Sequence, residues 1–148
     1  MPNFNSSTEA IFALQNISFF YGTSLVLENL NLLFHSQESV VLLGANGSGK
    51  STLLKILAGL QFAKVGKVIG LGRELNEKVL TQEDFGIHFR TSVGILFQNS
   101  EVQLFNPTVR DEIAFGPLQI CKHEKEVWQQ VSQIMERLQI SHLADRSP

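Results

Sequence analysis

Apolar positions in this chain fall into short runs separated by glycine-rich or polar breaks. Residues 11–20 are rich in apolar and aromatic side chains and predict a strand. Tyr21-Gly22-Thr23-Ser24 predicts a turn. Residues 25–34 alternate in part, with Leu25, Leu27, Leu30, Leu32 and Phe34 apolar against Glu28, Asn29 and Asn31. That pattern suits strands with one solvated face. Residues 39–43 (Ser-Val-Val-Leu-Leu) read as a buried strand. Residues 53–60 are helix formers closed by a late glycine. A short strand is expected over 66–72, loop plus helix over 73–90, a strand over 92–97 and polar loop over 98–106. Thr108, three residues before Asp111, marks a helix start. Residues 122–138 give an amphipathic helix. Its stripe is Val127, Val131, Ile134 and Leu138, widened by Trp128 and Met135.

Between the run 39–43 and the helix lies Gly44-Ala45-Asn46-Gly47-Ser48-Gly49-Lys50-Ser51-Thr52. It matches the phosphate-binding pattern G-x-x-x-x-G-K-[ST]. Average composition produces the four fixed positions about once in 30,000 starting points. Strand before and helix after is the context the motif requires. Gly44, Gly47 and Gly49 are expected to adopt positive φ and let the backbone approach phosphate closely. The N–H groups of the loop, with Asn46 and Ser48 among its residues, and of the helix start then face the phosphate oxygens. Lys50 brings a compact positive charge to the β- and γ-phosphates. The Ser51 hydroxyl is placed for Mg²⁺, and Thr52 completes the loop. The implied cofactors are ATP and Mg²⁺.

With 148 residues, 43% of them hydrophobic, the chain can build a core and is not disordered by composition. Net charge is −2, and its 12 Lys and Arg are scattered, which argues against a nucleic-acid partner. The single cysteine, Cys121, has no intrachain partner and reads as an apolar packing residue in a reducing compartment. The polar start (residues 1–10) lacks the basic and apolar blocks of a secretory signal. No apolar run is long enough to span a bilayer. His35, His88, His123 and His142 lack metal-ligand spacing.

In order along the chain, these landmarks resemble the ATP-binding subunits of ABC transporters. Tyr21 sits where that family places an aromatic that stacks on adenine. Residues 44–52 match its Walker A loop. Gly94-Ile95-Leu96-Phe97-Gln98-Asn99 is similar to the strand entering the Q-loop, with Gln98 as its glutamine. The resemblance gives Gln98 contacts to Mg²⁺ and the attacking water. Glu101-Val102-Gln103-Leu104-Phe105, Pro107-Thr108-Val109 and Ile113-Ala114-Phe115-Gly116-Pro117 are similar to the energy-coupling-factor subgroup, the cobalt/nickel-type and vitamin-type importers. Residues 142–148 are similar to the segment just before the signature motif. Gln37 departs from the family, which usually has glycine before the glutamate at this turn. Asp111 and Glu112 fall near the family's membrane-partner surface, although capping explains Asp111 more simply.

The resemblance implies an α/β fold, a P-loop NTPase of ABC type. It would comprise an incomplete core sheet, an N-terminal antiparallel β subdomain and part of the helical subdomain. Residues 1–9 are expected to be a flexible tail and 10–148 the N-terminal part of the ATP-binding domain. The implied partners are a transmembrane coupling subunit and a second ATP-binding subunit, as homo- or heterodimer. The implied location is the cytoplasmic face of the membrane. The signature, Walker B, catalytic glutamate, D-loop and switch histidine are not in these 148 residues. Hydrolysis by this chain alone is therefore expected to be inefficient, and apolar strand edges should make it marginally stable. The competing readings are a non-hydrolysing ATP-binding module or an inactive gene fragment. A soluble ABC ATPase of DNA repair or translation is disfavoured by the lack of coiled-coil heptads or a basic patch. A small-molecule kinase is disfavoured by dispersed arginines.

Overall fold

A computed structural model describes residues 10–99, 101–120 and 123–148. The expected tail (1–9) and Cys121 lie outside these. The chain forms two compact units, Met1–Ile95 and Leu96–Pro148.

In the first unit, β1 (Ala10–Tyr21) and β2 (Ser24–His35) form a long antiparallel hairpin. Next come α1 (Lys50–Leu57), β3 (Val65–Gly70), β4 (Arg73–Glu74), α2 (Glu77–Leu80) and α3 (Glu83–Ser92). The sheet order is β2-β1-β3-β4, every pair antiparallel. The hairpin is not regular. Asn16 and Asn29 are left-handed (φ +51° and +46°), where the ladder slips register. Side chains fill the broken ladder. Asn16 N–H donates to Asn31 Oδ1 at 2.9 Å, and Asn29 N–H donates to Ser18 Oγ at 3.0 Å. This explains the imperfect alternation over 25–34.

One face of the sheet carries Leu14, Ile17, Phe19, Leu27 and Val68, all buried. They form one core with Leu53 and Ile56 of α1 and Phe85 and Phe89 of α3. Leu53 and Ile56 share a helix face at i, i+3. Each such buried side chain contributes about 1.5–3 kcal/mol. These contacts fix α1, and with it the loop 44–52, to the sheet. Asn76 starts α2 by accepting from the Val79 N–H at 2.9 Å.

Two expected strands do not form. Residues 38–45 and 93–97 are irregular. An apolar run becomes a strand only when a neighbour satisfies its N–H and C=O groups, and among the described residues neither run has one. Val41 and Leu43 are accordingly 77% and 89% exposed, and Leu96 83%. The expected strand over 66–72 ends at Gly70, where a turn leads into β4.

In the second unit, α4 (Val109–Ile120) starts as expected. Thr108 Oγ1 accepts from the Asp111 N–H at 3.1 Å. Its Ala114 packs with Val127, Val131 and Met135 of α5 (Glu124–Arg137). The α5 stripe is therefore i, i+4, i+8. Ile134 and Leu138, expected in it, are exposed. Trp128 is only partly buried, with its indole N–H donating to Glu124 Oε1 at 3.1 Å. Among the described residues no helix is long and apolar enough to cross a membrane.

Gln37 turns the chain after β2 at φ +65°. A side chain there costs roughly 1–2 kcal/mol of strain, part of which glycine loses again as unfolded-state entropy. Gln37→Gly should raise unfolding free energy by up to about 1 kcal/mol in denaturant titration. In the second unit, the Glu112 carboxylate accepts from the Asn106 N–H (2.9 Å), the Asn106 side-chain amide (2.8 Å) and the Phe105 N–H (3.2 Å). These donors, the Asn106 backbone first, hold its carboxyl below the ordinary range. The stabilisation exists above the unfolded carboxyl's pKa and is lost as pH falls through the lower folded value. Thermal melts of wild type and Glu112→Gln should differ at neutral pH and converge in that acid window.

Candidate phosphate-binding site

The loop between β2 and α1 is built around one ammonium group. Lys50 Nζ donates to the carbonyl oxygens of Gly44 (2.8 Å) and Ala45 (2.7 Å), with Ser48 Oγ at 3.4 Å. The Ser48 N–H donates to Ala45 O at 3.3 Å, closing a turn inside the loop. Lys50 thus pulls the loop into a ring around its own charge.

The glycines act in two ways. Gly49 is left-handed (φ +87°), as expected of the motif, and a Cβ on it would meet Leu27 Cδ2 at 2.7 Å. It lets the loop press against the sheet while turning into the helix. Gly44 corrects the expectation, because its φ is not positive. Its requirement is space, since a Cβ there would lie 2.7 Å from Ser48 Oγ.

Gly49 is also the N-cap of α1 and has no side chain with which to cap. The first turn holds no acid. The first intrahelical bond runs from Leu53 N–H to Gly49 O at 2.9 Å. The helix start therefore presents N–H donors and the positive end of its dipole to an outside acceptor. Ser51 is exposed at this start, whereas Thr52 faces inward and is buried. Two clefts of about 430 and 270 Å³ flank Lys50, and both are lined mainly by apolar side chains of the run 40–43, β2 and α1. Neither offers an anion partners beyond those of the loop.

The loop fits a polyphosphate. A cation held by neutral carbonyl and hydroxyl oxygens can exchange them for phosphate oxygens, and a row of uncapped N–H groups stands beside it. For a magnesium ion, the Ser51 hydroxyl is the one exposed oxygen donor at the helix start itself.

Tyr21, at the end of β1, is half exposed. Its ring stands edge-on to the buried Phe19, centroids 5.0 Å apart at 78°. Its hydroxyl donates to Gln61 Oε1 at 3.0 Å. The Thr52 side chain first, and then the charge of Lys55, hold the phenol below its ordinary pKa. The Gln61 hydrogen bond joins Tyr21 to the segment that follows α1. Gln61 was not singled out by sequence; it lies in an irregular stretch and carries no motif. Gln98 belongs to the second unit, exposed on an irregular stretch.

The profile of the ABC transporter family matches residues 27–148. The chain is 44% identical over 137 residues to the nickel import ATP-binding protein NikO of Rhodobacter capsulatus, covering 93% of this chain and 54% of that one. It is 39% identical over 137 residues to the energy-coupling factor transporter ATP-binding protein EcfA of Methanothermobacter thermautotrophicus, covering 91% and 42%. Its structure matches that of cbiO1 from Clostridium perfringens, described as part of the ABC transporter complex cbiONQ. The TM-score is 0.75 at 26% identity, over 92% of this chain and 53% of that one. The chain spans about half the length of the curated relatives it matches. With the P-loop, the antiparallel sheet in front of it and a family match over most of its length, this chain belongs to the ABC transporter family and has the fold of its P-loop ATP-binding subunits.

Proposed function

We propose that this chain carries the ATP-binding half-site of an importer ATPase of the energy-coupling-factor, cobalt- or nickel-type class. The observation that carries the reading is Lys50 Nζ, held on the Gly44 and Ala45 carbonyls directly before an uncapped helix. On binding, Lys50 exchanges those carbonyls for the β- and γ-phosphates. The N–H groups at Gly47, Ser48, Gly49 and the first turn of α1 take the remaining oxygens. Asn46, exposed in the turn before Gly47, flanks this cradle. Ser51 supplies one oxygen to Mg²⁺, and the resemblance of residues 94–99 to the family's Q-loop makes Gln98 the candidate for a further Mg²⁺ contact. Tyr21 offers its ring to the adenine. Bound Mg-ATP would supply the β–γ phosphoanhydride bond, whose hydrolysis to ADP and phosphate would drive transport by the whole protein.

In this reading residues 10–148 are part of one ABC-type ATP-binding domain. The exposed runs 40–43 and 93–97 are strands of its core sheet, and their partners lie in the remaining length that the relatives possess. The whole protein works at the cytoplasmic face of the membrane, held there by a transmembrane coupling subunit and paired with a second ATP-binding subunit. Nickel as cargo comes from the names of relatives, both nickel import ATP-binding proteins, and cobalt from the resemblance of residues 101–117 to the energy-coupling-factor subgroup.

Two variants test the site by isothermal titration of the full chain. Lys50→Ala should weaken Mg-ATP binding at least tenfold, about 1.4 kcal/mol, with an unchanged circular dichroism spectrum, because Leu53 and Ile56 still hold α1. Ser51→Ala should weaken binding in magnesium but not in EDTA. Equal affinity of wild type and Lys50→Ala for Mg-ATP would contradict the assignment.

A further inference from the structure

A tyrosine at a hairpin turn, half exposed, has little around it to fix its ring. Here the ring has one apolar neighbour, Phe19, and one hydrogen-bonded anchor on its hydroxyl, Gln61. Gln61 follows α1, after the chain reverses at Gly59 (φ +69°). Its own backbone is tied down too, because the Gln61 N–H donates to Lys55 O at 3.2 Å. The anchor therefore moves with α1, and α1 is fixed to the sheet through Leu53 and Ile56.

We infer that Gln61 is a positioning residue for the nucleobase contact: it clamps the Tyr21 hydroxyl to the end of α1, so that the ring is pre-set relative to the phosphate loop before nucleotide arrives. This rests on the reading above, in which Tyr21 meets the adenine. The physical effect is pre-organisation. Immobilising a free side chain on binding costs about 0.5–1.5 kcal/mol, and a ring already held does not incur that cost again. The clamp also sets a distance. Base and phosphates of one nucleotide are joined by a ribose of fixed reach, so a ring tethered through Gln61 to α1 favours a ligand whose base and triphosphate bind together. A base-free polyphosphate gains nothing from it.

Tyr21 is the only tyrosine in the chain, so tyrosinate absorbance reports this phenol alone. Mg-ATP and magnesium tripolyphosphate are the two probes, measured on the full chain. Gln61→Leu and Tyr21→Phe should each weaken Mg-ATP about two- to tenfold, the range that rotamer immobilisation gives. The double variant should be no weaker than either single one. Tripolyphosphate affinity should not change in any of them. In Gln61→Leu the neutral phenol loses its acceptor and should titrate at lower pH than in wild type. Gln61→Glu keeps an acceptor for the phenol and should retain Mg-ATP affinity, while its negative charge moves the phenol's titration the opposite way, to higher pH. A structural role alone would not produce that split. Wild-type affinity and an unmoved phenol in Gln61→Leu, with Mg-ATP still weakened in Tyr21→Leu, would overturn the inference. Unchanged Mg-ATP affinity in Tyr21→Leu would instead defeat the adenine contact itself, and the clamp's purpose with it.

Discussion

The Lys50 ammonium, drawn onto the carbonyls of Gly44 and Ala45, is the interaction on which the site depends. A glycine-rich loop has high conformational entropy when free. One charged donor shared between two carbonyls gathers it into a ring, and the ring leaves N–H groups facing out. The arrangement can be exchanged rather than broken. Phosphate oxygens offer the ammonium a stronger, charge-assisted acceptor than a neutral carbonyl, so the interaction that shapes the empty loop is replaced by the one that holds the ligand.

That loop has a fixed position only because α1 does. Leu53 and Ile56 enter a core supplied by β1, β2 and β3 on one side and Phe85 and Phe89 on the other. Phe85 and Phe89 are one turn apart, with ring centroids 6.1 Å apart, and the Arg73 guanidinium lies 4.8 Å over the Phe85 ring. Gly49 lets the start of α1 approach Leu27 and Val26 of β2. Sheet, helix and loop are therefore one unit, and Tyr21 at the end of β1 joins it through Gln61.

The phosphate loop was legible in the sequence because its chemistry is local: glycines, a lysine and a hydroxyl at fixed spacing dictate it. The β1–β2 hairpin, the Thr108 cap and the α5 helix were legible for the same reason. The runs 39–43 and 92–97 were read as strands from their apolar content alone. A strand is a property of a pair, and these runs have no ladder partner among the described residues. The α5 stripe was right at Val127, Val131 and Met135 and wrong at Ile134 and Leu138. Ile134 and Met135 are both apolar, and only the packed partner, Ala114, decides which is buried. Gln61 was invisible because its role depends on a residue forty positions earlier, and no local pattern marks a glutamine that caps a distant phenol.

Amide hydrogen exchange with and without Mg-ATP tests the central claim most directly. If the loop around Lys50 is the nucleotide site, the amides from Gly47 to Thr52 should slow strongly on addition of Mg-ATP, and those of α5 in the second unit should slow least. Unchanged exchange over Gly47–Thr52 at saturating nucleotide, or protection confined to other segments, would contradict it.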